Sequence, residues 1–250
     1  MNKKSLLSLL LLGLFSCFEE PTLPAAPSIQ FNSIEFIEGD GGEIPEMLVL
    51  HIDFKDGDGD LGLSSDHNDP PFQQANYFKD NNGKLLTRRS INDPNYSWLP
   101  PYEMPFNCMN YTDPAQTLYF TADLVDDSFN IVDTIEIDGV VHYGVQDYIY
   151  FENNEDHYNI DVDFLVKEAN NTFVEYDWRK LWCNQSFDGR FPPLGDGEKI
   201  VEGKLAYEMK SIGFLQIFSI KALKLRVTIK DRALNHSNTI ETPEFTLGDI

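Results

Sequence analysis

Basic residues are scarce in this chain. Lys and Arg number 19 against 41 Asp and Glu in 250 residues, a formal net charge of −22. That balance argues against a nucleic-acid partner, because phosphates require Lys and Arg to displace their counterions. It also opposes electrostatic adhesion to anionic lipid. Cysteine is scarcer still, at positions 17, 108 and 183 only. The one long apolar run, Ser5 to Phe15, is too short for a spanning helix, which needs roughly 20 such residues. Catalytic signatures are missing as well: there is no G-x-S-x-G elbow, no S-x-x-K pair in convincing context and no phosphate-cradling loop. The histidines (His51, His67, His142, His157 and His236) show neither H-x-H nor H-E-x-x-H spacing for zinc. Carboxylate pairs can hydrolyse glycosides, but among 41 acids some pair is close by chance. The expectation is a non-catalytic protein.

Acidity of this degree can mark disorder. A hydrophobic content of 42% with 13% aromatics says instead that the chain folds. Alternating or β-branched runs recur at Ser28–Ile37, Met47–Phe54, Thr117–Val125, Ile131–Ile137, Tyr158–Val166, Phe173–Trp178, Leu205–Met209, Phe214–Phe218, Leu223–Ile229 and Thr239–Leu247. Turn-rich stretches such as Gly39-Asp40-Gly41-Gly42 separate them. No segment keeps a 3.6-residue apolar period, and no internal repeat is visible. Many short strands with Gly- and Pro-rich turns predict an all-β protein, an antiparallel sandwich.

The amino terminus has a basic start, Lys3-Lys4, and an apolar stretch of the length found in secretory signals. It ends in Leu14-Phe15-Ser16-Cys17, which resembles the lipobox of bacterial lipoproteins. The resemblance implies a signal peptide over 1–16 and lipidation of Cys17, anchoring the chain to a membrane. Phe18-Glu19-Glu20 follows; in Bacteroidota lipoproteins such acids resemble the signal for the outer face of the outer membrane. A solvated linker facing the periplasm is the plainer reading. Residues 17–27, with Pro21, Pro24 and Pro27, read as a semi-extended tether of roughly 30 Å. With Cys17 lipidated, Cys108 and Cys183 remain in a compartment where disulfides persist. Their pairing is expected, contributing about 4–5 kcal/mol on the chain-entropy view; two free buried thiols are the alternative.

The string LRVTIKDRALNHSNTIETPEFTL from Leu225 to Leu247 resembles the closing strand pair of immunoglobulin-like Bacteroidota lipoproteins. LVLHIDFKDGDGDLGL, from Leu48 to Leu63, resembles their second strand and its acidic loop. The resemblance implies an immunoglobulin-like β-sandwich over 28–250, with long insertions over about 68–203.

Asp56, Asp58 and Asp60 alternate with Gly57 and Gly59, and Asp53 stands just upstream. Calcium takes six to eight oxygen ligands, and this spacing can wrap carboxylates around one ion. The loop is not an EF-hand, because Leu61 and His67 occupy the positions of the invariant glycine and the bidentate glutamate. In an immunoglobulin-like sandwich, the loop after the second strand shares an end with the loop before the last. That topology would bring Asp231 and Asn235 to the acidic loop and make the six residues a structural Ca2+ site. A solvated acidic turn is the bland reading.

Two aromatic, proline-bearing segments, 96–111 and 173–193, each carry one of the two remaining cysteines. A Cys108–Cys183 bridge would set Trp98, Tyr102, Trp178, Trp182 and Phe187 side by side as an interaction patch, since aromatics are enriched at hot spots. The same rings could stack on sugars, or simply cover the core. The expected function is that of an outer-membrane accessory lipoprotein that docks on a protein complex, with a glycan-binding lipoprotein for polysaccharide capture as the alternative.

Overall fold

The computed structural model describes residues 23–40, 44–99, 117–182, 186–195, 197, 199–211 and 213–250. Cys17, expected to carry the anchor, Cys108 and Cys183, expected to pair, and Tyr102 lie outside the described residues. The fold is all-β, built on two antiparallel sheets. The first has the order β1 (Ser28–Ile37), β2 (Glu46–Asp56), β10 (Val201–Ser211). The second has the order β12 (Ile240–Glu241), β11 (Leu223–Ile229), β8 (Ile160–Lys167), β9 (Phe173–Glu175). Alternation decides what each strand buries. Leu48, Leu50, Ile52 and Phe54 of β2 face Val162, Phe164, Val166, Leu225, Val227 and Ile229 of β8 and β11 in one apolar core. Their polar neighbours in sequence, such as Asp53 and Lys224, stay partly exposed.

Two short helices close this core. The first, α1 (Trp178–Trp182), and the second, α2 (Phe214–Phe218), send Trp178, Phe214 and Phe218 into it. Phe214–Phe218 reads as a strand from sequence, and the structure corrects this. Its two phenylalanines are four apart, both fully buried on one helical face, and Glu46 accepts from the Leu215 N–H at the helix start. Five residues are too few for periodicity to reveal a helix.

Between β2 and β8 the chain inserts two smaller sheets. One pairs β3 (Ala75–Tyr77) with β7 (Phe151–Asn153); the other has the order β4 (Leu118–Thr121), β6 (Val140–Val145), β5 (Ile131–Ile137). They rest on satellite clusters of their own, around Leu85, Phe120, Val145 and Ile149 and around Leu86, Leu99 and Tyr150. β8 and β9 fall inside the stretch expected to hold insertions, yet they supply half of the second sheet. The inserted material is therefore split, before β8 and after β9.

One side chain bolts the insertion to the sandwich. The Arg190 guanidinium donates to the carbonyls of Ser64, His67, Phe72 and His157 and lies beside Nδ1 of His157, which itself meets the Phe72 carbonyl. Burial, against the pull of the Phe72 carbonyl and helped by this neighbouring cation, holds the His157 pKa below its ordinary value. Four carbonyls converging on one planar fork suit Arg, not Lys. Arg190→Ala strands them, and an expected loss of about 2–4 kcal/mol is measurable by urea unfolding; Arg190→Lys should recover less than half.

Candidate metal centre

Each sheet delivers one carboxylate to the same end of the sandwich. On β2 the inward file Leu48, Leu50, Ile52, Phe54 continues to Asp56, which is only 1% exposed. On β11 the inward file Leu223, Leu225, Val227, Ile229 continues past the strand to Asp231, likewise buried. Two apolar files that end in an acid thus meet across the core's edge. An isolated antiparallel bridge between Leu61 and Asp231 closes the junction.

The intervening loop supplies the other two acids. Ligand atoms of Asp56, Asp58, Asp60 and Asp231 all lie within 4.8 Å of one another. The loop is held in place from three directions. The Gly197 N–H donates to the Gly59 carbonyl at 2.8 Å, and Gly59, at φ 72°, packs so closely on Lys199 that a Cβ would collide with its carbonyl. On the opposite side a Cβ on Gly57 would collide with the carbonyls of Leu23 and Pro24. The Arg232 N–H donates to the Asp60 carbonyl at 3.3 Å.

The electrostatics are unbalanced. Burial first, then the charges of Asp58, Asp60 and Asp231, push the Asp56 pKa up to about 6, while the Leu61 N–H donating to its carboxylate pulls the other way. Burial, Asp231 and Asp58 likewise raise Asp60, against the pull of Arg232. One oxygen each of Asp56, Asp58 and Asp60 is buried without a hydrogen-bond partner. An unpaired buried carboxylate oxygen is costly, and a cluster of four acids with three such oxygens could hold a cation. Two oxygens on opposite sides of a calcium ion stand up to about 5 Å apart, so the observed spread fits that ion.

A second group of acids shows the contrast. Asp161, Asp163 and Asp188 line the flank of β8, and burial pushes Asp161 up to about 6. There, however, Asp188 pairs with Arg179 and caps the Val162 N–H, Asp163 meets Arg226 at 3.8 Å, and Lys230 faces Asp161. Those acids already have cations.

Of the six residues expected at the site, four converge. Asp53 does not: three positions before Asp56 on a strand, it faces the other side of the sheet, where it accepts from Asn32. Asn235 supports the site by donating from its N–H and side-chain amide to both Asp231 oxygens, at 2.7 and 2.8 Å. Asn238 of the same turn clasps both the N–H and the carbonyl of Ile29 on β1. Sequence reading missed Lys230, buried against the Glu155 carbonyl and 3.5 Å from Asp156; a lysine at a strand end gives no sign of burial.

The expected aromatic patch is not assembled among the described residues. Trp178 is 7% exposed, in edge-to-face contact with Phe164, Tyr176, Phe187 and Phe218. Phe187 packs on the same core. Trp182 remains half exposed and donates to Tyr176, whereas Trp98 lies against Phe78 over a separate satellite cluster. Core burial claimed the rings that periodicity could not place. Among the described residues no helix is long and apolar enough to cross a membrane. No family model, curated protein or solved structure matches the chain.

Proposed function

We propose that this chain is a non-catalytic lipoprotein, anchored through Cys17 at the outer face of an outer membrane, that serves as an accessory subunit of an outer-membrane protein complex. A structural Ca2+ at Asp56, Asp58, Asp60 and Asp231 locks one end of its sandwich. The observation that carries the cation is Asp56: a fully buried carboxylate with an unpartnered oxygen, facing three more acids. Such an arrangement is a ligand set rather than an acid and a base poised on opposite sides of a substrate, which supports a binding role over catalysis. The strand order β1-β2-β10 against β12-β11-β8-β9 supports an immunoglobulin-like sandwich. The anchor and the partner class rest on the leader and on the sequence resemblance.

Purification of the native lipid-anchored chain in mild detergent with calcium tests this reading. The expected result is a stoichiometric complex with an outer-membrane β-barrel protein. A partnerless chain that binds polysaccharide on a carbohydrate array overturns it in favour of glycan capture, for which the exposed Trp98 ring would be the first residue to change.

A further inference from the structure

The exposed apolar surface is concentrated in one place. Tyr119, Ile131, Val132, Ile137, Val140 and Val141 are each 38–48% exposed, and they make up six of the fourteen large apolar side chains left exposed among the described residues. All six belong to the β4–β6–β5 sheet. Its root is anchored, because Leu118, Phe120 and Val145 pack with Leu85, Phe129 and Ile149. Its far end is not. Asp138 (φ 51°) and Gly139 (φ 78°) form the two-residue turn, and no atom lies within 4 Å of where a Gly139 Cβ would be.

Register shows why the far end differs from an ordinary solvated hairpin. Glu136 pairs with Val141, and Ile137 with Val140. Val141 therefore points to one face while Ile137 and Val140 point to the other. A strand with one wet face alternates apolar with polar residues; here Ile137 and Val140 make one face of the tip apolar, while on the other Val141 stands beside Glu136. The outer edge of β5, in contrast, is blunted against strand addition. A register shift falls between Ile131 and Asp133, and the Asp133 carboxylate already accepts from the Thr134 N–H and the Tyr119 hydroxyl. Bulges and edge charges are the usual protection of such edges. The binding surface is the Ile137–Val140 face of the tip, not the edge.

Charge selects the occupant. Residues 117–150 contain seven acids and no Lys or Arg, and neither Glu136 nor Asp138 at the tip takes part in an ion pair among the described residues. Anionic headgroups would repel this tip, and a second copy would oppose it with the same carboxylates. We infer that the β5–β6 hairpin is the docking element of this protein, its Ile137–Val140 face seated on the apolar floor of a partner protein's cleft and Glu136 and Asp138 met by a rim of Lys and Arg. The inference rests on the accessory-subunit reading and replaces the aromatic patch as its surface.

The test uses the full lipid-anchored chain in cells, with a photo-crosslinking benzoylphenylalanine at Val140 or, as a control, at Asn81 in an exposed turn elsewhere on the insertion. Val140 should give a single protein adduct that Asn81 does not. In the complex purified from those cells, Val140→Asp should weaken the affinity about thirtyfold or more, as at an interface hot spot. Asp138→Asn, which suits the left-handed turn as aspartate does, should weaken it several-fold and reduce its salt dependence. Adducts only with lipid, or only with a second copy, overturn the inference. A wild-type complex whose affinity neither substitution changes removes the hairpin but leaves the accessory role standing. Absence of any complex removes both.

Discussion

Calcium at about 10 mM, added to the chelator-treated protein, should raise its Tm by about 5–10 °C. Calcium sites of extracellular modules have Kd values of roughly 10⁻⁴–10⁻³ M, so that concentration is about 100-fold above the tighter limit. Binding to the native state alone then contributes about 2.7 kcal/mol, and each kcal/mol is worth roughly 2–4 °C for a chain of this size. The donor set sharpens the expectation. Four carboxylates, three with an unpartnered oxygen, repel one another until a cation arrives, so the cation-free state is destabilised as the bound state is stabilised. Magnesium should shift Tm less, because it requires a tighter octahedron and gives up its waters reluctantly. Differential scanning fluorimetry with elemental analysis decides the matter. Identical melting in calcium and chelator, with no calcium in the purified protein, would sink the site.

Asp56→Asn should make the stability order cross over. In chelator, the substitution removes a buried charge that burial and three neighbouring acids disfavour, so the variant should match or exceed the wild type. In calcium, it lacks a charged ligand, and the shift of about 5–10 °C should fall to a degree or two. The pH dependence follows with its sign. The folded-state pKa of Asp56, about 6, lies above the usual unfolded carboxyl value near 4. Between those values the folded protein binds the proton that the unfolded chain has released. The cation-free wild type therefore gains stability as pH falls from about 7 towards 4, and loses it as pH rises through about 6. Calcium reverses the pattern, because protons compete for the same oxygens: its affinity should decline as pH drops below about 6. Asp56→Asn should flatten the chelator profile, though not completely, since Asp60 is also raised. Guanidinium unfolding from pH 4 to 8, with and without calcium, reads both limbs.

Strands made of alternating or β-branched runs were legible in the sequence, most clearly Leu223–Ile229, which alternates without a break. Ser28–Ile37, Ile131–Ile137 and Leu223–Ile229 appear with the bounds that those runs suggest. The second half of the hairpin, Val140–Val145, was not read as a strand, although Asp138-Gly139 is a strong two-residue hairpin signal. It went unread because Val-Val-His-Tyr-Gly-Val does not alternate cleanly. The clustering of Asp56, Asp58 and Asp60 was legible because they alternate within five residues, and that of Asp231 because topology joined two distant loops. Asp53 could have been excluded by parity alone: residues 53 and 56 on one strand point to opposite faces. The aromatic segments carried no such rule. Whether a tryptophan sits inside or outside depends on what another sheet brings to it, and Trp178 became the centre of a ring cluster contributed by β8, α2 and the segment around Phe187.

The contact of Leu23 and Pro24 with Gly57 has a mechanical meaning. With Cys17 as the lipid attachment, five residues lie between it and Leu23, a leash of at most about 20 Å. The domain would then ride with its carboxylate-bearing end towards the lipid. Drag on its outer parts would be transmitted down the leash and reach the fold at Gly57, between Asp56 and Asp58. A divalent ion at that position would act as a rivet where the load enters, joining the ends of both sheets before the tension reaches β1.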